Sequence, residues 1–133
     1  MTRYQNDMKA LIIDDEQDIC LLLTKILNGI DVKTSFANSL KEGKFSYLKV
    51  HPDIVFLDIN LADGNSIKSI KDFKSADNNN KVVMITATES NNERQDSFNQ
   101  GADAFLIKPF TGKQIIDVIN NFKSTTNDAH INN

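Results

Sequence analysis

Lys9-Ala10-Leu11-Ile12-Ile13-Asp14-Asp15-Glu16 is a short apolar run that stops on three acids, and Ile54-Val55-Phe56-Leu57-Asp58 repeats the pattern with one. Both runs are rich in branched residues and apolar at consecutive positions, the signature of parallel strands buried on both faces. If their ends lie side by side, Asp14, Asp15 and Asp58 meet at one edge of a sheet. Like charges ~4 Å apart repel by roughly 1 to 4 kcal/mol over the plausible range of effective dielectric. Such a cluster calls for a proton or a cation. With oxygen ligands and no His or Cys, the implied ion is magnesium or another hard cation.

Working outward, strand and helix patterns alternate. After the first strand, Ile19, Leu22, Leu23, Ile26 and Leu27 recur at helical spacing, and Gly29 follows as a stop. A strand over 32–37 precedes Asn38-Ser39, which predicts a capped helix ending before His51-Pro52. Beyond the third strand and the turn Ala62-Asp63-Gly64, a short helix carries Ile67, Ile70 and Phe73. The polar run 76–80 reads as a surface connection. Lys81–Thr86 is the fourth strand. A polar helix over 91–100 follows, with Phe98 as its clearest anchor and Gly101 at its end. Ala104–Ile107 is the fifth strand. Thr111 and Gln114 have capping-box spacing ahead of Ile115, Ile116, Val118, Ile119 and Phe122.

This alternation predicts an α/β fold: a doubly wound, five-stranded parallel sheet covered by helices on both faces. Right-handed crossovers favour the flavodoxin-like strand order 2-1-3-4-5, which makes strands one and three neighbours. Fold and acidic cluster then support each other. We expect one domain over 1–123 and a polar, disordered tail over 124–133.

Composition narrows the classes. The chain has 133 residues and a net charge of −3, which leaves no electrostatic footprint for nucleic acid. No stretch is apolar enough to span a membrane, and the N-terminus lacks a signal-peptide core. The single cysteine, Cys20, fits a reducing cytoplasm and core packing. His51 and His130 have no metal-ligand spacing and read as surface residues.

Two further strand ends add different chemistry. Thr86 ends the fourth strand and Lys108 the fifth, each followed by a small or rigid residue, Ala87 and Pro109. Singly, an acid before a helix favours its N-terminus, Thr is a strand former and Lys is solvated. Together, three carboxylates, a hydroxyl and an ammonium suit a cation plus a phosphoryl group.

The motifs Leu11-Ile12-Ile13-Asp14-Asp15-Glu16, Pro52-Asp53-Ile54-Val55-Phe56-Leu57-Asp58-Ile59-Asn60-Leu61, Met84-Ile85-Thr86-Ala87 and Gly101-Ala102-Asp103-Ala104-Phe105-Leu106-Ile107-Lys108-Pro109-Phe110 match a family in order. From Lys9 to Phe122 the chain resembles the receiver domain of response regulators in two-component signalling. The resemblance implies that Asp58 accepts a phosphoryl group from a phosphohistidine on a sensor histidine kinase or phosphotransfer protein. It implies Mg2+ on Asp14, Asp15, Asp58 and the backbone carbonyl of Asn60, Asp14 acting mostly through water. Thr86, Ala87 and Lys108 would hold the phosphoryl oxygens. Thr86 and Phe105 would form the switch that alters the surface seen by a downstream partner, and Lys108-Pro109 would be cis. The family often has Pro where this chain has Ala62 and Gly where it has Ser66, which questions the rigidity of the loop after Asp58.

Such a protein catalyses only its own phosphorylation and dephosphorylation. An aspartyl phosphatase would need an acid at Asn60, and a flavodoxin would not place Asp14-Asp15-Glu16 against a phosphate. Because the chain ends just after the last helix, we expect no attached output domain. It would act as a chemotaxis-type regulator, a phosphorelay intermediate or a fragment of a longer regulator.

Overall fold

β1 (Lys9–Ile13) and β3 (Ile54–Asp58) are parallel neighbours, with Ile13 opposite Leu57. This pairing sits at the middle of a five-stranded sheet. With β2 (Lys33–Ala37), β4 (Lys81–Thr86) and β5 (Ala104–Ile107), the order is β2-β1-β3-β4-β5, parallel throughout. The architecture is the flavodoxin-like one that the alternation predicts. The computed structural model describes residues 8–74, 79–88 and 90–131, with side chains as far as 123.

Successive side chains on a strand face opposite ways, so each strand feeds two apolar layers. Ala10, Ile12, Phe56, Val83 and Ile85 pack with Cys20, Leu23 and Leu27 of α1 (Gln17–Asn28) and Ile115 and Ile119 of α4 (Gly112–Ile131). Leu11, Ile13, Val55, Leu57 and Met84 form the other layer, with Leu40 and Tyr47 of α2 (Leu40–Val50) and Ile70 and Phe73. Gly43 lets α2 sit close on β1: a Cβ there would come within 2.6 Å of the Ile13 side chain. That closeness offsets the ~1 kcal/mol that glycine costs inside a helix.

Several expectations need correction. The third helix, Ile67–Phe73, is a 3₁₀ helix. Its apolar residues recur every third position, and three residues per turn is the winding that lines them up on one face. Within α3 (Asn91–Asn99), Ser97 is buried while Phe98 is exposed, so the helix faces the sheet with a small residue and carries its one ring on the flank. Asn80, assigned to a surface connection, is buried and donates its amide to Phe73 O and to Tyr47 Oη. A buried amide tied to two elements is structural, and 75–78 lie outside the described residues. Helical backbone continues over 124–131, where composition predicts a disordered tail. Once a helix is nucleated each further residue is cheap to add, and this stretch has neither Gly nor Pro to end it. His51, exposed, ends α2 in the left-handed conformation, and the side chain of His130 lies outside the described residues.

Candidate functional site

β1, β3 and β5 each deliver a charged residue to the carboxyl edge of the sheet. Asp14 follows β1 and is fully buried. Its N–H donates to Ala37 O (3.1 Å), and its Oδ1 accepts the Glu16 N–H (2.8 Å), which starts α1. Asp58 is the last residue of β3 and 5% exposed. Lys108 follows β5 and is registered by its own N–H, which donates to Thr86 O (2.7 Å); the next bond, Lys108-Pro109, is cis.

The Lys108 ammonium lies 3.0 Å from Asp14 Oδ2, 2.5 Å from Glu16 Oε1 and 3.4 Å from Asp58 Oδ2. Oxygens of these three carboxylates lie within 4.8 Å of one another. One ammonium among three carboxylates leaves two negative charges uncompensated. The surplus, its burial and the all-oxygen donor set fit a small divalent cation. Burial, then the charge of Asp14, pushes the Asp58 carboxyl up to about 6, against the pull of Lys108. For Lys108, burial alone would lower the pKa. Hydrogen bonds to Glu16 and Asp14 and the charge of Asp58 outweigh it and raise the pKa. The same surroundings, burial first and Asp14 next, raise Cys20 to about 11; its Sγ meets Asp14 O at 3.4 Å, so the thiol stays protonated.

The structure thus brings together Asp14, Asp58 and Lys108, with Thr86 one residue past Ile85, the ladder partner of Asp58. Thr86 is buried, and its Oγ1 accepts the Thr88 N–H at 3.3 Å; Ala87 is exposed. Asp15 is exposed and outside the carboxylate group, in which Glu16 takes the third place. The sequence reading placed Asp15 in this group and overlooked Glu16, because both belong to one triplet and no local pattern tells which side chain turns toward Lys108.

The description "response regulator receiver domain" is matched by residues 10–120. The chain belongs to this family. It is 28% identical over 114 residues to the chemotaxis protein CheY of Thermotoga maritima, covering 84% of this chain and 94% of that protein. It is 31% identical over 101 residues to the KDP operon transcriptional regulatory protein KdpE of Escherichia coli, covering 76% of this chain but 44% of that longer protein. Among solved structures, a CheY-like receiver domain protein of Methanospirillum hungatei aligns with a TM-score of 0.82 at 23% identity, covering 92% of this chain and 98% of its own. A two-component response regulator of Clostridium difficile aligns with the same score at 24% identity, covering 91% and 99%.

Two residues of the motifs make further contacts in this receiver domain. Ser66, where the family often has Gly, is fully buried; its hydroxyl donates to Asp58 O (2.7 Å) and its N–H to Ile59 O (2.9 Å). Ser66 therefore ties the loop back to the end of β3, and only the fold could reveal that. Phe105 is buried on β5, its ring 6.5 Å from Phe98, with the Arg94 guanidinium 5.5 Å from both rings. Among the described residues no helix is long and apolar enough to cross a membrane.

Proposed function

We propose that this chain is a phosphoacceptor switch in which Asp58 takes a phosphoryl group from a phosphohistidine on a histidine kinase or phosphotransfer protein. The observation that carries the reading is the buried Asp58 carboxylate at the centre of a charge imbalance, 3.4 Å from the Lys108 ammonium. In the transfer, the P–N bond to the donor imidazole breaks as a P–O bond to Asp58 forms. Asp58 must be ionised to attack, which its position near pH 6 permits at neutral pH.

Asp14, Asp15, Asp58 and the Asn60 carbonyl would hold Mg2+, which supplies positive charge against the phosphoryl oxygens. Lys108 already serves the same edge and would move from carboxylate to phosphoryl oxygen. The Thr86 hydroxyl and the Ala87 N–H lie at the neighbouring strand end and would donate hydrogen bonds to the remaining oxygens. Drawing Thr86 inward from Thr88 would free space beside Phe105, and the surface of β4, β5 and their helices would change for a downstream protein. Differential affinity for two states is what such coupling requires. The protein would turn over no other substrate, and it would work in the cytoplasm.

Radiolabelled acetyl phosphate tests this. Uptake should occur once per chain, depend on Mg2+, stop with EDTA and be lost in Asp58→Asn. Thr86→Ala should keep uptake but weaken the spread of NMR shifts that beryllofluoride induces. Labelling of Asp58→Asn at an unchanged rate would show another acceptor.

A further inference from the structure

The loop after Asp58 is held at two places. Its base is tied by Ser66, as described above. Its tip is tied by Asp63: Oδ1 accepts the Leu40 N–H at 2.9 Å and Oδ2 the Lys41 N–H at 3.0 Å, one bond for each oxygen. The partners are 23 and 22 residues away in sequence, at the start of α2. Between the ties lies a small antiparallel pairing, Asn60 with Asn65 and Leu61 with Gly64, turned at Ala62-Asp63, with Gly64 at φ +145°. Asn60 lies within this braced segment. Ala62 provides none of the stiffness of a proline ring, so restraint must come from elsewhere.

Resting on the reading that the Asn60 carbonyl is a cation ligand, we infer that Asp63 is a positioning residue. It clamps the loop to the N-terminus of α2 and thereby presets the Asn60 carbonyl for the metal. The helix end is a firm anchor. Gly43 seats α2 closely against Ile13 of β1, and two further bonds hold the helix start: Ser39 Oγ accepts the Glu42 N–H at 3.1 Å, and Glu42 Oε1 accepts the Asn38 N–H at 3.2 Å. The two hydrogen bonds to Asp63 keep its carboxyl below its usual range, so the clamp is charged at any working pH.

The competing explanation is that Asp63 only caps α2. Ser39→Ala separates the two, since it weakens the same helix end and leaves the loop tie intact. Magnesium affinity would be measured by NMR titration of the full chain, and amide hydrogen exchange of 60–65 in metal-free protein. Asp63→Ala should weaken magnesium binding roughly 10-fold, the effect usual for residues that orient a ligand, and speed exchange over 60–65. Asp63→Asn, with one acceptor oxygen left, should fall between. Ser39→Ala should lower the melting temperature with magnesium affinity and loop exchange unchanged. Equal losses of affinity in Ser39→Ala and Asp63→Ala, or unchanged affinity and exchange in Asp63→Ala, overturn the clamp and leave the switch reading standing. A parent chain that binds no magnesium overturns both.

Discussion

At the amino end of the sheet Asp53 and Asp103 are matched group for group, whereas at the carboxyl end three carboxylates share one lysine. Asp53 Oδ2 accepts the Lys9 N–H at 2.8 Å, while the Lys9 ammonium goes to Val50 O at 3.0 Å. Asp103 Oδ2 receives the Lys74 ammonium at 2.7 Å and the Val82 N–H at 2.8 Å. The carboxyl end keeps two surplus negative charges in a cluster that includes buried Asp14 and Asp58, a balance that a bound cation would offset. One end of the same strands is balanced, and the other carries the surplus charge on which the proposed switch rests.

The largest effect that could break this contrast is at Lys108. Lys108→Ala leaves buried carboxylates without the only ammonium that meets them among the described residues, and should destabilise the cation-free protein by ~3–5 kcal/mol at neutral pH. Added Mg2+ should restore a large part. Urea unfolding with and without Mg2+ measures this, and a loss that Mg2+ does not touch would remove the surplus-charge account.

Next in size is Asp58→Asn. The folded-state pKa of Asp58 is raised from 3.8 to about 6, so the folded state binds the extra proton between those values. That favours folding at low pH, and the advantage disappears as pH rises through about 6. Cation-free Asp58→Asn should therefore be more stable than the parent at pH 7, by on the order of 1–3 kcal/mol, and the difference should shrink towards pH 4. A difference that grows on acidification would refute the sign.

At the matched end, Asp103→Ala should cost ~1–2 kcal/mol through the lost hydrogen bonds, equally with and without Mg2+, and leave phosphoryl uptake unchanged. The smallest change is expected at Asp15. Because it is exposed, Asp15→Asn should shift cation-free stability by less than ~0.5 kcal/mol. As a ligand, however, it should be needed for the stabilisation that Mg2+ confers. Equal Mg2+-induced melting shifts in parent and Asp15→Asn would show that Asp15 is no ligand.

The sequence by itself determined what depends on neighbours along the chain. Apolar runs marked β1, β3, β4 and β5, while β2 is mostly polar, and strand–helix alternation with right-handed crossovers led to the observed order. The capping box is present as its spacing implies, with Gln114 N–H on Thr111 Oγ1 at 3.1 Å and Thr111 N–H on Gln114 Oε1 at 2.8 Å. The three-residue interval of Ile67, Ile70 and Phe73 was legible too, though it was read as an ordinary helix. Only the tertiary structure decided which acid of the triplet meets Lys108. Asp14 Oδ1 holds the Glu16 N–H, and the partner it serves lies 92 residues along, so no local pattern separates Glu16 from Asp15. The ties of Ser66 to Asp58 O and of Asp63 to α2 were hidden for the same reason. Periodicity reports which face of an element is apolar, but a hydrogen bond between segments depends on how packed elements are finally placed.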